Sequence, residues 1–266
     1  MTLWWLSYPL LGVFAGFVAG LFGVGGGLTI VPLLFMLYTA QDFPVEHSMH
    51  LALGTSMATI VFTSIARMRA HHAHGAVRWD IVRSLAPGLV IGTLSGSLIA
   101  TWVPTRPLAM VFTVIVYYAS AQMMLDFKPK PHRQLPGTAG MVITGLLFGI
   151  VSSLVAAGGG FLTIPFMVFC NVLIHRAVGT SSALGFPIAV AGTIGYIASG
   201  LKTQGLPEFS LGYVYLPGFI GVVVVSFLMA PVGAKLAHRL PVKQLKRAFG
   251  GFLALLASKM LYGLLS

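Results

Sequence analysis

Two stretches of the sequence hold three consecutive glycines in apolar surroundings. GLFGVGGGLTIVPLLF, Gly20 to Phe35, contains Gly25, Gly26 and Gly27; GIVSSLVAAGGGFLTIPFMV, Gly149 to Val168, contains Gly158, Gly159 and Gly160. A proline follows each at the same spacing, Pro32 and Pro165. Each glycine in a helix costs about 1 kcal/mol relative to alanine, so three together end a helix. A helix restarting at Leu28 or Phe161 would aim its first N–H groups and the positive end of its dipole back at the break, which is chemistry for an anion. Pro32 and Pro165 lack an N–H and so free the carbonyls of Leu28 and Phe161 for water or a substrate proton. Hydroxyl donors are near: Thr29, Thr163, Ser152 and Ser153 beside the breaks, and the Gly-Thr-Ser triplets ending in Thr55–Ser56 and Thr180–Ser181. The alternative use of such glycines is close helix packing. That the feature occurs twice, each time opening a short segment, favours the site.

The elements that must carry these residues are membrane helices. The chain has 266 residues, is 57% hydrophobic and 8% charged, and its mean hydropathy is +0.92. No ordinary soluble domain has that balance. Leu85 to Val103, Leu108 to Leu125, Gly140 to Ala157 and Leu211 to Ala234 each run far enough to cross about 30 Å of hydrocarbon. Alternating barrel strands are absent, so the expected class is an all-α integral membrane protein. The net charge of +11 sits in short loops, which fits membrane topology rather than nucleic-acid binding. Cys170 is the single cysteine, which excludes a disulfide framework. No cofactor motif is present, and the expected partners are a small anionic substrate and membrane lipid.

The glycine stretches anchor a tandem repeat. Gly16 matches Gly149 and Leu21 matches Leu154; HLALGTS (His50 to Ser56) matches HRAVGTS (His175 to Ser181), and APGLVIG (Ala86 to Gly92) matches LPGFIGV (Leu216 to Val222). Residues 1–127 form the first repeat, 128–138 a cytoplasmic linker and 139–266 the second repeat. Five apolar segments are expected in each: Leu3–Phe22, Leu28–Thr39, Ser48–Ala66, Ser84–Val103 and Leu108–Leu125, then Ala139–Ala157, Phe161–Val172, Ala177–Ser199, Leu211–Ala237 and Leu245–Leu265. The second segment of each half is short or broken at its triple glycine. An odd number of segments inverts the second half. Loop charges agree: Arg67, Arg69, Arg78 and Arg83 follow the third segment and Lys128, Lys130 and Arg133 the fifth, while Asp42 and Glu46 lie in a loop without Lys or Arg. With basic loops inside, both termini lie outside.

The paired glycine–proline stretches, the GTS triplets and the basic loop ending HGAVRWD (His74 to Asp80) resemble the TauE/SafE family of sulfite and sulfonate exporters. The resemblance covers nearly the whole chain. It implies a bacterial inner-membrane permease for small sulfur oxyanions or organosulfonates, with substrate contacts at Gly25 to Gly27, Pro32, Thr55, Ser56, Gly158 to Gly160, Pro165, Thr180 and Ser181. The second half has Ala156 and Ala157 where the first has Gly23 and Val24, so the two sites need not be equivalent. His50 and His175, matched between halves, either titrate with transport or anchor at the interface. Lys259 either faces the anion path or snorkels outward. His71, His72 and His74 lie in a basic loop with no carboxylate or cysteine to complete a metal site. No acidic residue falls inside a segment, which argues against a carboxylate proton relay. An intramembrane enzyme would need a nucleophile–base pair at depth, and none is present. A carrier or channel for other small anions, such as carboxylates or thiosulfate, is the alternative function.

Overall fold

A computed structural model describes residues 4–22, 26–125, 133–237 and 242–265. Among them are ten helices: α1 (Trp4–Phe22), α2 (Gly27–Ala40), α3 (Val45–Ala73), α4 (Trp79–Ala100), α5 (Thr105–Met124), α6 (Thr138–Val155), α7 (Gly160–Phe169), α8 (Ile174–Gly200), α9 (Leu216–Ala237) and α10 (Val242–Leu265). Six of them, α3, α4, α5, α6, α8 and α10, are long and apolar enough to cross a membrane on the described residues alone. α1 and α9 are 19 and 22 residues long. The two helices after the glycines are short, with 14 residues in α2 and 10 in α7. At 1.5 Å per residue they reach about 21 and 15 Å, less than a bilayer core.

Several boundaries differ from those the apolar runs predict. α3 starts at Val45, directly after Pro44, and runs on to Ala73 through residues expected in a basic loop. α4 begins at Trp79 rather than Ser84. The segment expected to begin at Leu211 opens instead with a two-stranded antiparallel ribbon, β1 (Ser210–Leu211) paired with β2 (Val214–Tyr215), before α9 starts at Leu216. Gly212 at φ 56° makes that turn, a conformation that a continuous helix excludes.

Helix packing interchanges the two halves. α1 lies along α9 and α6 along α4, in the most extensive interfaces of the bundle; α3 packs on α8, α5 on α10, α2 on α3 and α7 on α8. Glycines permit the closest approaches. Gly12 and Gly16 of α1 lie against the backbone at Val222 and Ser226, and Gly145 and Gly149 of α6 against the backbone at Leu85 and Leu89. For these glycines close packing is the whole role.

Each short helix turns back beside the helix before it. Tyr8 in α1 donates from its hydroxyl to Gln41 Oε1, just after α2, at 2.7 Å. In the second half the N–H of Arg133, ahead of α6, donates to the carbonyl of Phe169 at the end of α7 at 3.4 Å. Both pairs therefore enter the bundle, turn at the glycines and return.

The interior is an apolar core that also buries many hydroxyls, and the exterior is apolar. Thr55, Ser56, Thr59, Ser64, Thr93, Ser97, Ser152, Ser153, Thr163, Thr180 and Ser181 are buried, while Leu98, Ile143, Leu147, Ile194, Ile220, Phe227, Leu228 and Leu255 are exposed. In water such an outer face would aggregate; in hydrocarbon it is solvated.

Candidate functional site

Left-handed glycines open both short helices. Gly26 at φ 68° precedes α2, and its carbonyl accepts the N–H groups of Thr29 at 3.0 Å and Ile30 at 2.8 Å. Gly159 at φ 79° precedes α7, and its carbonyl accepts those of Leu162 at 3.2 Å and Thr163 at 2.9 Å. The amides of Gly27 and Leu28, and of Gly160 and Phe161, thus come before the first helical bonds and form the open positive ends. A β-branched residue at either positive-φ position would be strained. Gly25 lies outside the described residues. Both helices continue through Pro32 and Pro165.

The two turns meet. The Ala156 carbonyl, at the end of α6, lies directly against Gly27, leaving no space for a side chain there. Ile60, midway along α3, touches both: its Cδ1 is 3.0 Å from where a Cβ on Gly27 would stand and its Cγ2 is 3.4 Å from the same point on Gly158. Both helix breaks therefore sit at mid-depth in the bundle. They are not alike. The Ala156 carbonyl closes on Gly27, whereas a Cβ on Gly160 would have Ser181 Oγ at 3.6 Å and Ile164 Cδ1 at 3.7 Å, ordinary contact distances.

The Gly-Thr-Ser triplets divide their labour the same way in each half. Gly54 lies against the carbonyl of Tyr213 and Gly179 against that of Ala76. One residue on, Thr55 Oγ1 accepts the N–H of Tyr215 at 3.0 Å, and Thr180 Oγ1 accepts the N–H of Arg78 at 3.0 Å. The threonines thereby fix the backbone entering α9 and α4. The serines remain for the interior. Ser181 Oγ is 2.9 Å from Thr163 Oγ1 in the first turn of α7. Ser56, its counterpart, is buried with no hydrogen-bond partner, as are the hydroxyls of Thr29 and Ser152. Ser153 bonds within α6, to Ile150 O at 2.7 Å.

Other residues singled out in the sequence separate. His50 is buried, with Nε2 at 3.1 Å from the carbonyls of both Ala100 and Val103 and its ring 5.1 Å from that of Tyr213. His175, its sequence counterpart, is exposed, and so is Lys259, which turns to the outer face of α10 rather than inward. His72 packs edge-on against Trp79 at 5.5 Å. Arg67 departs furthest from expectation. Read as a loop cation, it is on α3, and its Nη2 is fully buried without a hydrogen-bond partner. That Nη2 stands 3.5 Å from where a Cβ on Gly158 would be and 3.7 Å from the same point on Gly185 of α8. The basic run RMRAHH hid it, because a charge there reads equally as an interfacial anchor. The described carboxylates stay at helix ends and in loops, and Asp80 pairs with Arg78, Nε to Oδ1 at 3.0 Å. Two surface grooves, of about 320 and 410 Å³, are lined by apolar residues such as Phe62, Ile194 and Phe219, or Phe209 and Ile220, and include none of the turn glycines.

A bundle with an apolar exterior, hydroxyls buried within its core and two broken helices meeting at its centre has the architecture of a multi-pass membrane transporter. The profile of the family described as Sulfite exporter TauE/SafE matches residues 8–260. The chain belongs to that family. It is similar to a probable membrane transporter protein of Haemophilus influenzae, 38% identical over 94% of this chain and 96% of the relative. It also resembles probable membrane transporter protein YdhB of Bacillus subtilis, 29% identical over 90% and 91%. A probable membrane transporter protein of Methanocaldococcus jannaschii is 24% identical over 96% of each. No solved structure matches the chain.

Proposed function

We propose that this transporter moves small sulfur-containing anions, such as sulfite or organosulfonates, outward across the bacterial inner membrane through a mid-depth site between the two glycine turns. The observation that carries this is the meeting of two helix N-termini at Ile60, each led by a left-handed glycine. Their open N–H groups favour negative charge. Gly26, Gly27, Thr29, Pro32 and Ser56 supply one side, and Gly158, Gly159, Gly160, Thr163, Pro165 and Ser181 the other. Thr55 and Thr180 support them from behind. The family's description as a sulfite exporter supports the substrate class.

The two halves form an inverted repeat in this reading. The start of α1 lies by Gln41 and the start of α6 by Phe169, and the packing pairs α1 with α9 as it pairs α6 with α4. Asp42 and Glu46 lie at the start of α3, near the start of α1, whereas Arg69 lies in the last turns of α3 at its other end, with Arg78 and Arg83 following at the start of α4. By the preference of basic loops for the cytoplasm, that asymmetry supports the basic end inside and both termini outside. Export of an anion then runs down the membrane potential, worth about 2.3 kcal/mol per charge per 100 mV. The test is uptake of radiolabelled sulfite into proteoliposomes holding the full chain. Sulfonates, thiosulfate, carboxylates and neutral analogues compete in turn. Saturable uptake displaced by sulfur anions supports the reading, and selective displacement by carboxylates redirects it to other anions. Flux against a gradient separates a carrier from a channel.

A further inference from the structure

We infer that Arg67 is the charge-selecting contact for the anion, and that within the site between the two turns the anion binds nearer the N-terminus of α7 than that of α2. This rests on the anion-transport reading above. Arg67 is six residues from the end of α3, near enough for its long side chain to reach the basic face. It does the reverse. Its Nε donates to the carbonyl of Thr63, one turn back, at 3.4 Å, which lays the side chain toward the centre of the bundle. There its buried Nη2 stands 3.5 Å from where a Cβ on Gly158 would be, immediately before the glycine that opens α7. A guanidinium in that position with no carboxylate against it among the described residues is costly unless an anion joins it. The open amides of Gly160 and Phe161, the hydroxyl of Ser181 and Nη2 are all donors, a set that fits an oxyanion carrying at least one negative charge.

Among the described residues the first half has no such arrangement. By the register that matches Thr55 to Thr180, the counterpart of Arg67 on α8 is Gly192, which packs against Met57. The Ala156 carbonyl, an acceptor, closes on Gly27 at the head of α2. One turn therefore concentrates donors, and the other is partly occupied by a carbonyl that repels anions. Glycine at 185 lets α8 approach the turn, because a Cβ there would stand 3.1 Å from the carbonyl of Gly158 while keeping ordinary contact, 3.7 Å, with Nη2.

The test uses the full chain in proteoliposomes and reads initial rates of labelled sulfite uptake. Arg67→Gln, monodisperse in detergent, raises the KM for sulfite by about ten- to a hundredfold, the range for losing one charged hydrogen bond. Arg67→Lys keeps the charge without the planar fork and falls between the two. Phenylglyoxal, an arginine reagent, provides a measurement on the unaltered protein: it inactivates uptake, sulfite protects, and Arg67→Lys is insensitive. Wild-type uptake with an unchanged KM in Arg67→Gln overturns the role of Arg67 and leaves the transport reading standing. If Arg67→Gln does not fold, inactivation that sulfite fails to slow overturns it equally. Absence of any saturable anion flux in the wild type overturns the transport reading instead.

Discussion

The carbonyl of Ala156 packs directly on Gly27, so the break that ends one half's first helix is fitted against the start of the other half's short helix. Neither backbone can move away without dragging a helix with it. Gly27→Ala is therefore expected to destabilise the protein by about 1–3 kcal/mol, as overpacking against backbone does. Gly160→Ala meets only ordinary contacts and should keep the wild-type melting temperature while slowing transport, since its methyl projects at the open end of α7. Thermal unfolding in detergent beside uptake rates checks both; equal melting losses would show that the two turns are alike.

Thr55 and Thr180 make the same bond in the two halves, each accepting a backbone N–H ahead of a fourth-position helix. Thr55→Val and Thr180→Val should each cost about 1 kcal/mol of stability. Neither should change the apparent affinity for anion. A raised KM with an unchanged melting temperature would assign the threonines to the substrate instead.

Exposure separates Lys259 and His175 from the interior. Lys259→Gln and His175→Asn are expected to transport sulfite with wild-type KM and maximal rate. A tenfold loss in either would place that side chain on the path.

Both chain ends should be accessible from outside the cell. Fusions of a reporter active only in the periplasm are expected to score at the N-terminus and at the C-terminus, and in the loop holding Asp42. Opposite readings at the two ends would contradict the inverted arrangement.

Much of this was legible in the sequence because its causes are local. Triple glycine ends a helix wherever it stands, and α2 and α7 begin within one residue of the expected positions. The hydroxyls around the turns were legible as a set. What each one does was not, because Thr55 meets Tyr215 and Thr180 meets Arg78 across more than a hundred residues of chain. The matched histidines diverge for the same reason: His50 finds two carbonyls at the end of α4, and His175 is exposed where α8 begins. The ribbon at Ser210–Tyr215 was lost in an apolar run, where hydrophobicity does not distinguish strand from helix. Arg67 was hidden by composition, since nothing local tells a guanidinium turned inward from its neighbour Arg69, which is exposed.

The central claim is that anions pass at the backbone of the glycine turns. The most direct measurement is the initial rate of labelled sulfite uptake by Gly159→Val beside the wild type, with both proteins monodisperse and equally inserted. A valine there must adopt φ 79° and press on Ile188, whose Cδ1 stands 2.7 Å from the new Cβ. The account predicts that insertion survives, because the long helices are apolar enough without this turn, and that uptake falls to the level of empty vesicles. Full uptake by the valine variant would contradict it and reduce the glycines to helix packing.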